Sequence, residues 1–383
     1  MTALATTSPT ALNDHRGSWV PNGAMIGTRI MELRKRKGLM IALAAVSIGL
    51  PTIFLTVRLI AHAVAPKSYG PAGGYTIFTS LVVGVLYTFG FIVAATVGAS
   101  AGSTDLADGM FRHLVVTGRS RLAIYFARIP AALAIVVTMV AAGFAIVCLV
   151  CSLAAPTSLN YDGMRVPQGL SLSAYESWAA THYSQAVCNL PTNAPVPCGP
   201  HGLVIGRNGK ITVVTFGKGQ SGPQTITLTL AQVKNDARQA AFHTYADYSK
   251  QFLKPPVSVM IQSGLWIELE AAMGVIVGLG LSSLMGQRTV PIVLLIVLEV
   301  ILTPLFAFHA IPHLINAERG IIGVAMAHIE PHALPTVFGQ GSGPRGNGVP
   351  LIPETTTWSW VVIASWIVGW TGLGAWRMAR RDA

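Results

Sequence analysis

The chain has 383 residues, of which 52% are hydrophobic and only 11% charged, with a formal net charge of +11. Soluble chains carry about 25% charged residues. The composition therefore excludes a cytosolic enzyme of one or two domains, a disordered chain and a small disulfide scaffold, and it points to a polytopic membrane protein. The surplus of Lys and Arg reads as the positive-inside bias of such proteins rather than as a nucleic-acid-binding face.

Residues 1–38 form a polar, basic N-terminus. Within it Met25, Ile26, Ile30 and Leu33 make an apolar stripe on a basic helix. That pattern suits a helix lying in the membrane interface. A plain basic flank that only sets topology is the other reading, and both can hold. The 38-residue lead is too long for the n-region of a cleavable signal peptide.

A bilayer core about 30 Å thick needs about 20 apolar residues in a helix. Six stretches meet that length: Leu39–Val57, Tyr75–Ala99, Ala123–Ser152, Trp266–Met285, Thr289–Phe308 and Trp358–Trp376. The fourth can begin as early as Val257. The predicted fold class is all-α with six transmembrane helices, three in 39–153 and three in 257–383. Lys and Arg in short loops set orientation. Arg16, Arg29, Arg34, Lys35, Arg36 and Lys37 precede span one; Arg112, Arg119 and Arg121 lie between spans two and three, with Arg128 just inside span three. Arg288 separates spans four and five, and Arg377, Arg380 and Arg381 end the chain. The opposite side has only Arg58, Lys67, Arg319 and Arg345 in its shorter loops. Both termini are therefore expected in the cytoplasm.

Residues 154–256 are predicted to be a small extracellular α+β insert between spans three and four. Ser173 and Glu176 have the spacing of a capping box, opening a helix toward Val187. Leu203–Gly206 and Lys210–Phe216 flank Asn208-Gly209, a strong hairpin signal. Thr225–Leu230 alternates like a strand with one buried face. Val233, Ala237, Ala240, Ala241, Tyr248 and Phe252 recur at helical spacing, and Pro255-Pro256 stops that helix. Cys188 and Cys198 are separated by nine residues, three of them prolines. In an oxidising compartment they are expected to form a disulfide; two free thiols are the alternative. Cys148 and Cys151 read as small packing residues inside span three.

The loop after span two carries Leu106, Ala107, Met110, Phe111, Leu114 and Val115 at helical spacing, with Asp105, Asp108, Arg112 and His113 on the other face. Ser103 or Thr104 can cap this helix, Asp105 suits its dipole, and Gly118 ends it before Arg119 and Arg121. The pattern fits a topology-setting loop, a helix resting on lipid, or a docking surface.

The run Asp105-Leu-Ala-Asp108-Gly109-Met110-Phe111-Arg112-His-Leu114-Val-Val-Thr-Gly118-Arg119-Ser-Arg121 resembles the loop after the second span of ABC-2-type ABC transporter permeases. In that family an acidic residue and a Gly precede a hydrophobic helix, and a small residue with Ser-Arg opens span three. The layout is similar too: a basic interfacial helix, six spans, both ends inside and a long stretch between spans five and six. The resemblance implies a multi-pass permease subunit of a bacterial exporter in the cell membrane. It would dimerise with a second copy or a similar permease and carry two separate P-loop ATPase subunits, with ATP and magnesium on those partners. Residues 104–118 would be the coupling helix seated on the ATPase. The insert of about a hundred residues departs from the short loop usual there in the family.

Catalysis on this chain is not expected. The nearest approach to a P-loop, Gly206-Arg-Asn-Gly209-Lys210-Ile211, has the wrong spacing and no Ser or Thr. No nucleophile elbow, zincin motif or paired intramembrane Asp is visible. Glu299 falls near the middle of span five, where a charge costs at least about 2.5 kcal/mol. It can bind a cationic group, pair with an Arg, or stay protonated between helices. Glu268 and Glu270 are placed near the extracellular end of span four, facing different directions, one of them toward the dimer cleft or the insert. His309 with His313, and His328 with His332, have i,i+4 spacing, but Pro312 and Pro331 interrupt them and no metal site is predicted. Between residues 311 and 357, Gly320–Ala327 reads as a short re-entrant or interfacial helix, with Ile321, Ile322, Val324 and Met326 as gate candidates, and Gly339–Gly348 as a loop. Two other functions fit the composition: an ion- or proton-coupled carrier using Glu299, and a membrane-anchored sensor whose insert binds ligand.

Overall fold

The structure is a computed structural model that describes residues 19–107, 120–192, 196–200, 202–215, 224–303, 313–331, 334 and 353–380. Helix α1 (Gly23–Lys35) leads into α2 (Lys37–Val64), α3 (Tyr75–Asp105, with helical turns reaching Ala107) and α4 (Arg121–Leu153). The insert holds β1 (Leu159–Tyr161), β2 (Met164–Val166), α5 (Leu172–Thr181), α6 (Tyr183–Asn189), β3 (Cys198–Gly199), β4 (Gly202–Leu203), β5 (Ile211–Thr215), β6 (Gln224–Leu228) and α7 (Leu230–Tyr248). The chain continues with α8 (Val257–Met285), α9 (Thr289–Ile296), α10 (Ile315–Glu318), α11 (Ile322–His328) and α12 (Thr356–Arg380). The protein is mostly helical, and α2, α3, α4, α8 and α12 are long and apolar enough to cross a membrane. Of the expected fifth span, α9 and the π turn after it (Val297–Leu302) are helical, while 304–312 fall outside the described residues.

Close backbone packing centres the bundle on α8. Two Gly-x-x-x-Gly pairs face each other, Gly98 and Gly102 on α3 with Gly274 and Gly278 on α8. A Cβ on Gly98 would run into the Val275 backbone, one on Gly278 into the Ala95 backbone, and one on Gly274 would lie 2.8 Å from the Phe91 carbonyl. Small residues let helices approach until dispersion and Cα–H contacts hold them, which matters where lipid removes the usual hydrophobic drive. The other flank of α8 repeats the device, with Gly280 against the Trp370 backbone and Gly374 against Gly280. Helix α2 meets α4 where Gly143 admits the Ser47 carbonyl. Ser47 sits in a π turn, Ala45–Gly49, and α3 has another at Val82–Tyr87.

Helix α1 forms where the apolar stripe predicts a helix. Asn22 caps it, its side-chain oxygen accepting from the Met25 amide at 2.9 Å. Leu33 is buried, and α1 packs on α4.

The insert corrects several local expectations. Its first helix is capped by Ser171, not Ser173, because the Ser171 hydroxyl is the one that reaches the Ala174 amide. That helix stops at His182 and a second begins, so Ser173 and Val187 do not share one helix. Asn208-Gly209 does turn the chain, with Gly209 at φ 69°. Across it the Gly206 amide donates to the Lys210 carbonyl at 3.1 Å, but the flanks build no ladder with each other: β5 pairs antiparallel with β6, and β4 pairs with β3. An unforeseen hairpin joins β1 to β2 through Asp162-Gly163, whose φ values of 45° and 78° match a type I′ turn. Helix α7 carries a full capping box, Thr229 with Gln232. Its buried face packs against α5, where Tyr175 stacks on Tyr248 with centroids 4.2 Å apart. Cys188 and Cys198 are joined as a disulfide. Cys151 is buried and Cys148 half-buried.

Helix α8 begins at Val257, directly after Pro256, so the earlier start weighed for span four is the one adopted. The expected short helix in Gly320–Ala327 forms as α11, and Ile322, Val324 and Met326 are buried within it. The run Gly339–Gly348 lies outside the described residues.

Candidate functional site

The basic end of the bundle collects α1, the end of α3, the starts of α4 and α9, and the end of α12. Here Asp105 joins three helices. Arg29 of α1 grips its carboxylate with both guanidinium nitrogens, at 2.9 Å to Oδ1 and 2.6 Å to Oδ2. Arg128 of α4 donates to the same Oδ2 and, through its other terminal nitrogen, to the Gly102 carbonyl at 2.8 Å. The Asp105 and Arg128 side chains are 4% and 2% exposed. Glu32 accepts from Arg29 at 2.6 Å, one helical turn away on α1. Burial opposes the Arg29 charge, but hydrogen bonding to Asp105 and the charges of Asp105 and Glu32 outweigh it and hold the guanidinium above its ordinary range. Bidentate Arg–carboxylate pairs are directional as well as strong, so this cluster sets the rotation of α1, α3 and α4 relative to one another.

This placement corrects the reading of Asp105 as an N-terminal residue of a separate loop helix. The helix of span two does not stop at Ser103. Ser103 and Thr104 donate their hydroxyls back to the Ala99 and Ser100 carbonyls instead of capping a new start. Asp105 therefore faces the bundle interior, and residues 104–107 belong to α3. Asp108, Gly109, Met110, Phe111, Arg112, Leu114, Gly118 and Arg119 lie outside the described residues. Arg121 opens α4 and donates to the Ala379 carbonyl of α12 at 3.2 Å. The charge distribution along the sequence gives Arg128 only as a topology charge. An Arg placed inside an apolar span is itself the signal for a buried carboxylate partner.

A second polar cluster lies inside the bundle. Glu268 and Glu270 fall near the middle of the 29-residue α8, not near its end, because the helix starts at Val257. Glu270 is 2% exposed and lies within electrostatic reach of Glu299, which is 8% exposed in the π turn after α9. Thr303 donates to Glu299 Oε2 at 3.4 Å. Gly323 of α11 leaves room for Oε1, since a Cβ there would sit 2.6 Å from it. Tyr87 lies within electrostatic reach of Glu270, Glu299 and Glu330 and stacks on Trp266 at 4.4 Å. The Trp266 indole donates to the Met326 carbonyl at 3.1 Å, tying α8 to α11. The Tyr87 hydroxyl, Glu270 Oε2 and Glu299 Oε1 are sealed from solvent with no hydrogen-bond partner among the described residues. Glu268 is half-buried on another face, its carboxylate oxygens likewise without such partners. Two buried carboxylates within electrostatic reach of each other in an apolar interior are suited to meeting a cationic group.

The histidine pairs are not brought together as ligands within what is described. His309 and His332 lie outside the described residues. His313 adopts φ 72°, and His328 contacts the Val324 carbonyl at 2.9 Å. Among the described residues no group of three His, Cys, Asp or Glu side chains is placed to hold a metal ion. No family model, curated protein or solved structure matches the chain.

Proposed function

We propose that the chain is the membrane-spanning permease subunit of an ATP-driven, ABC-2-type bacterial exporter. In this reading it crosses the cell membrane six times with both termini in the cytoplasm and the insert outside. It pairs with a second copy or a similar permease and engages separate P-loop ATPases through the loop at 108–119. The observation that carries the reading is the Arg29–Asp105–Arg128 cluster at the base of that loop. A push on the loop meets three helices bound into one unit, so it rotates them together instead of bending the loop alone. ATP binding on the partners would shift the bundle between inward- and outward-open states, each stabilised by different contacts. The cargo class fitting an apolar interior with few polar groups is amphipathic: a lipid-like compound, a peptide or a drug.

The test is co-purification. The chain, co-expressed with candidate P-loop ATPases from the same genome, is expected to retain one of them, and Arg112→Glu to release it while the bundle stays folded. A wild-type chain that retains none of them overturns the reading. Glu270 and Glu299, both buried with a carboxylate oxygen lacking a hydrogen-bond partner among the described residues, favour a second reading, a proton- or ion-coupled carrier. That reading requires transport without any ATPase and its loss in Glu299→Gln.

A further inference from the structure

The basic end of the bundle also holds a cavity of about 500 Å³. It opens between the first turns of α2 and α9, against the flank of α3. Arg36, Lys37 and Arg288 line it together with Ser100 and Thr289, and no carboxylate among the described residues does. Arg36 and Arg288 are the residues immediately before the first turns of α2 and α9, and neither start has a side-chain cap. Uncapped first-turn amides add partial positive charge to that of the side chains. Thr289 and Val293 are shared with a second hollow, an apolar groove of about 430 Å³ that follows α9 to Leu302. Val293 and Leu294 on that groove are exposed. A cationic recess at the head of an apolar helix thus runs directly into an apolar channel along it.

We propose that this cavity and groove bind one anionic membrane lipid. Its charged headgroup sits among Arg36, Lys37 and Arg288, and an acyl chain lies along α9 from Val293 toward Leu302. The match is of charge and of length. The basic groups stand at the first turns of two apolar helices, the depth of a headgroup, and the groove runs from there along the helix. This assignment does not depend on the transport reading, because its test measures binding and not export.

The full-length chain, purified in neutral detergent and stripped of lipid, is titrated with phosphatidylglycerol or phosphatidylcholine, and bound lipid is counted by native mass spectrometry. Phosphatidylglycerol is expected to bind the wild type more tightly. Lys37→Gln with Arg288→Gln should weaken it roughly 25-fold, about fivefold per basic residue, and leave phosphatidylcholine unchanged. Val293→Trp, which fills the groove without touching the charges, should weaken phosphatidylglycerol as well. Equal binding of the two lipids by the wild-type chain overturns the proposal, and that comparison needs no variant. So does full displacement of phosphatidylglycerol by millimolar inorganic phosphate, which would mark a free-anion site. Unchanged binding in both variants, with melting temperatures at the wild-type value, overturns it equally.

Discussion

Arg128, near the start of α4, donates to the carboxylate of Asp105 at the end of α3, while Arg29 closes the same carboxylate from α1. Both central partners are nearly inaccessible to water. Removing one member of a buried pair strands the other charge, which costs about 3–5 kcal/mol. Asp105→Asn is therefore expected to lower stability by that order, read as a fall in melting temperature in detergent. Replacing the pair together, Asp105→Asn with Arg128→Met, should recover much of the loss, because Arg29 is 14% exposed and can turn to water. A double variant no more stable than Asp105→Asn alone would show that the pair is not the source of the effect.

The facing Gly-x-x-x-Gly pairs make a steric prediction. Gly98→Val places atoms into the Val275 backbone and Gly278→Val into the Ala95 backbone. Each is expected to cost at least about 1–3 kcal/mol as overpacking, because backbone cannot move aside as a flexible side chain can. Gly90, whose added Cβ would meet nothing within 4 Å, is the control. Gly90→Ala should keep the wild-type elution profile and melting temperature while the other two lose theirs.

The Cys188–Cys198 bond closes a short loop in the insert. By loop-closure entropy it contributes about 3 kcal/mol. Cys188→Ser should lower the unfolding temperature of the insert and make it protease-sensitive while α3 and α8 stay packed. Reductant should reproduce the effect in the wild type and add nothing to the variant.

Asp162 makes a pH prediction. Burial first, then the nearby Asp247 charge, pushes its carboxyl above the ordinary value of 3.8. The folded insert therefore holds the Asp162 proton more tightly than the unfolded chain does. The stabilisation this brings is complete below about pH 4 and is lost as pH rises through the raised folded value. Asp162→Asn removes the charge and keeps a residue suited to the first position of a type I′ turn. Unfolding scans should show the variant more stable than wild type at pH 7 and the two converging at about pH 3.5. A constant difference across that range would place the effect elsewhere.

Five of the six expected spans were legible because partition into lipid is nearly a sum over residues: twenty apolar positions in a row need no partner to be recognised. Helix α1 was legible from its stripe and α7 from its periodicity. The Gly-x-x-x-Gly pairs and Asp162-Gly163 were equally open to reading and were passed over. The hairpin assigned to the flanks of Asn208-Gly209 was misplaced because the dipeptide specifies a turn and not which strand lies beside which. Ser173 and Glu176 matched a capping pattern, yet the helix began at Leu172, since a cap depends on which hydroxyl reaches an amide.

What the amino-acid order determined alone was therefore where the chain leaves water and which end of the bundle carries its cations. Those properties follow from local transfer free energies and from charge counting. Only the tertiary structure decided that Asp105 meets Arg29 and Arg128 rather than a solvent-facing loop, and that Glu270 and Glu299 are both buried within electrostatic reach of each other. Such meetings depend on the rotation of each helix about its axis. Glycine contacts fix it between α3 and α8, and the Asp105 cluster fixes it among α1, α3 and α4; all join residues far apart in the chain, and no window of neighbouring residues contains them.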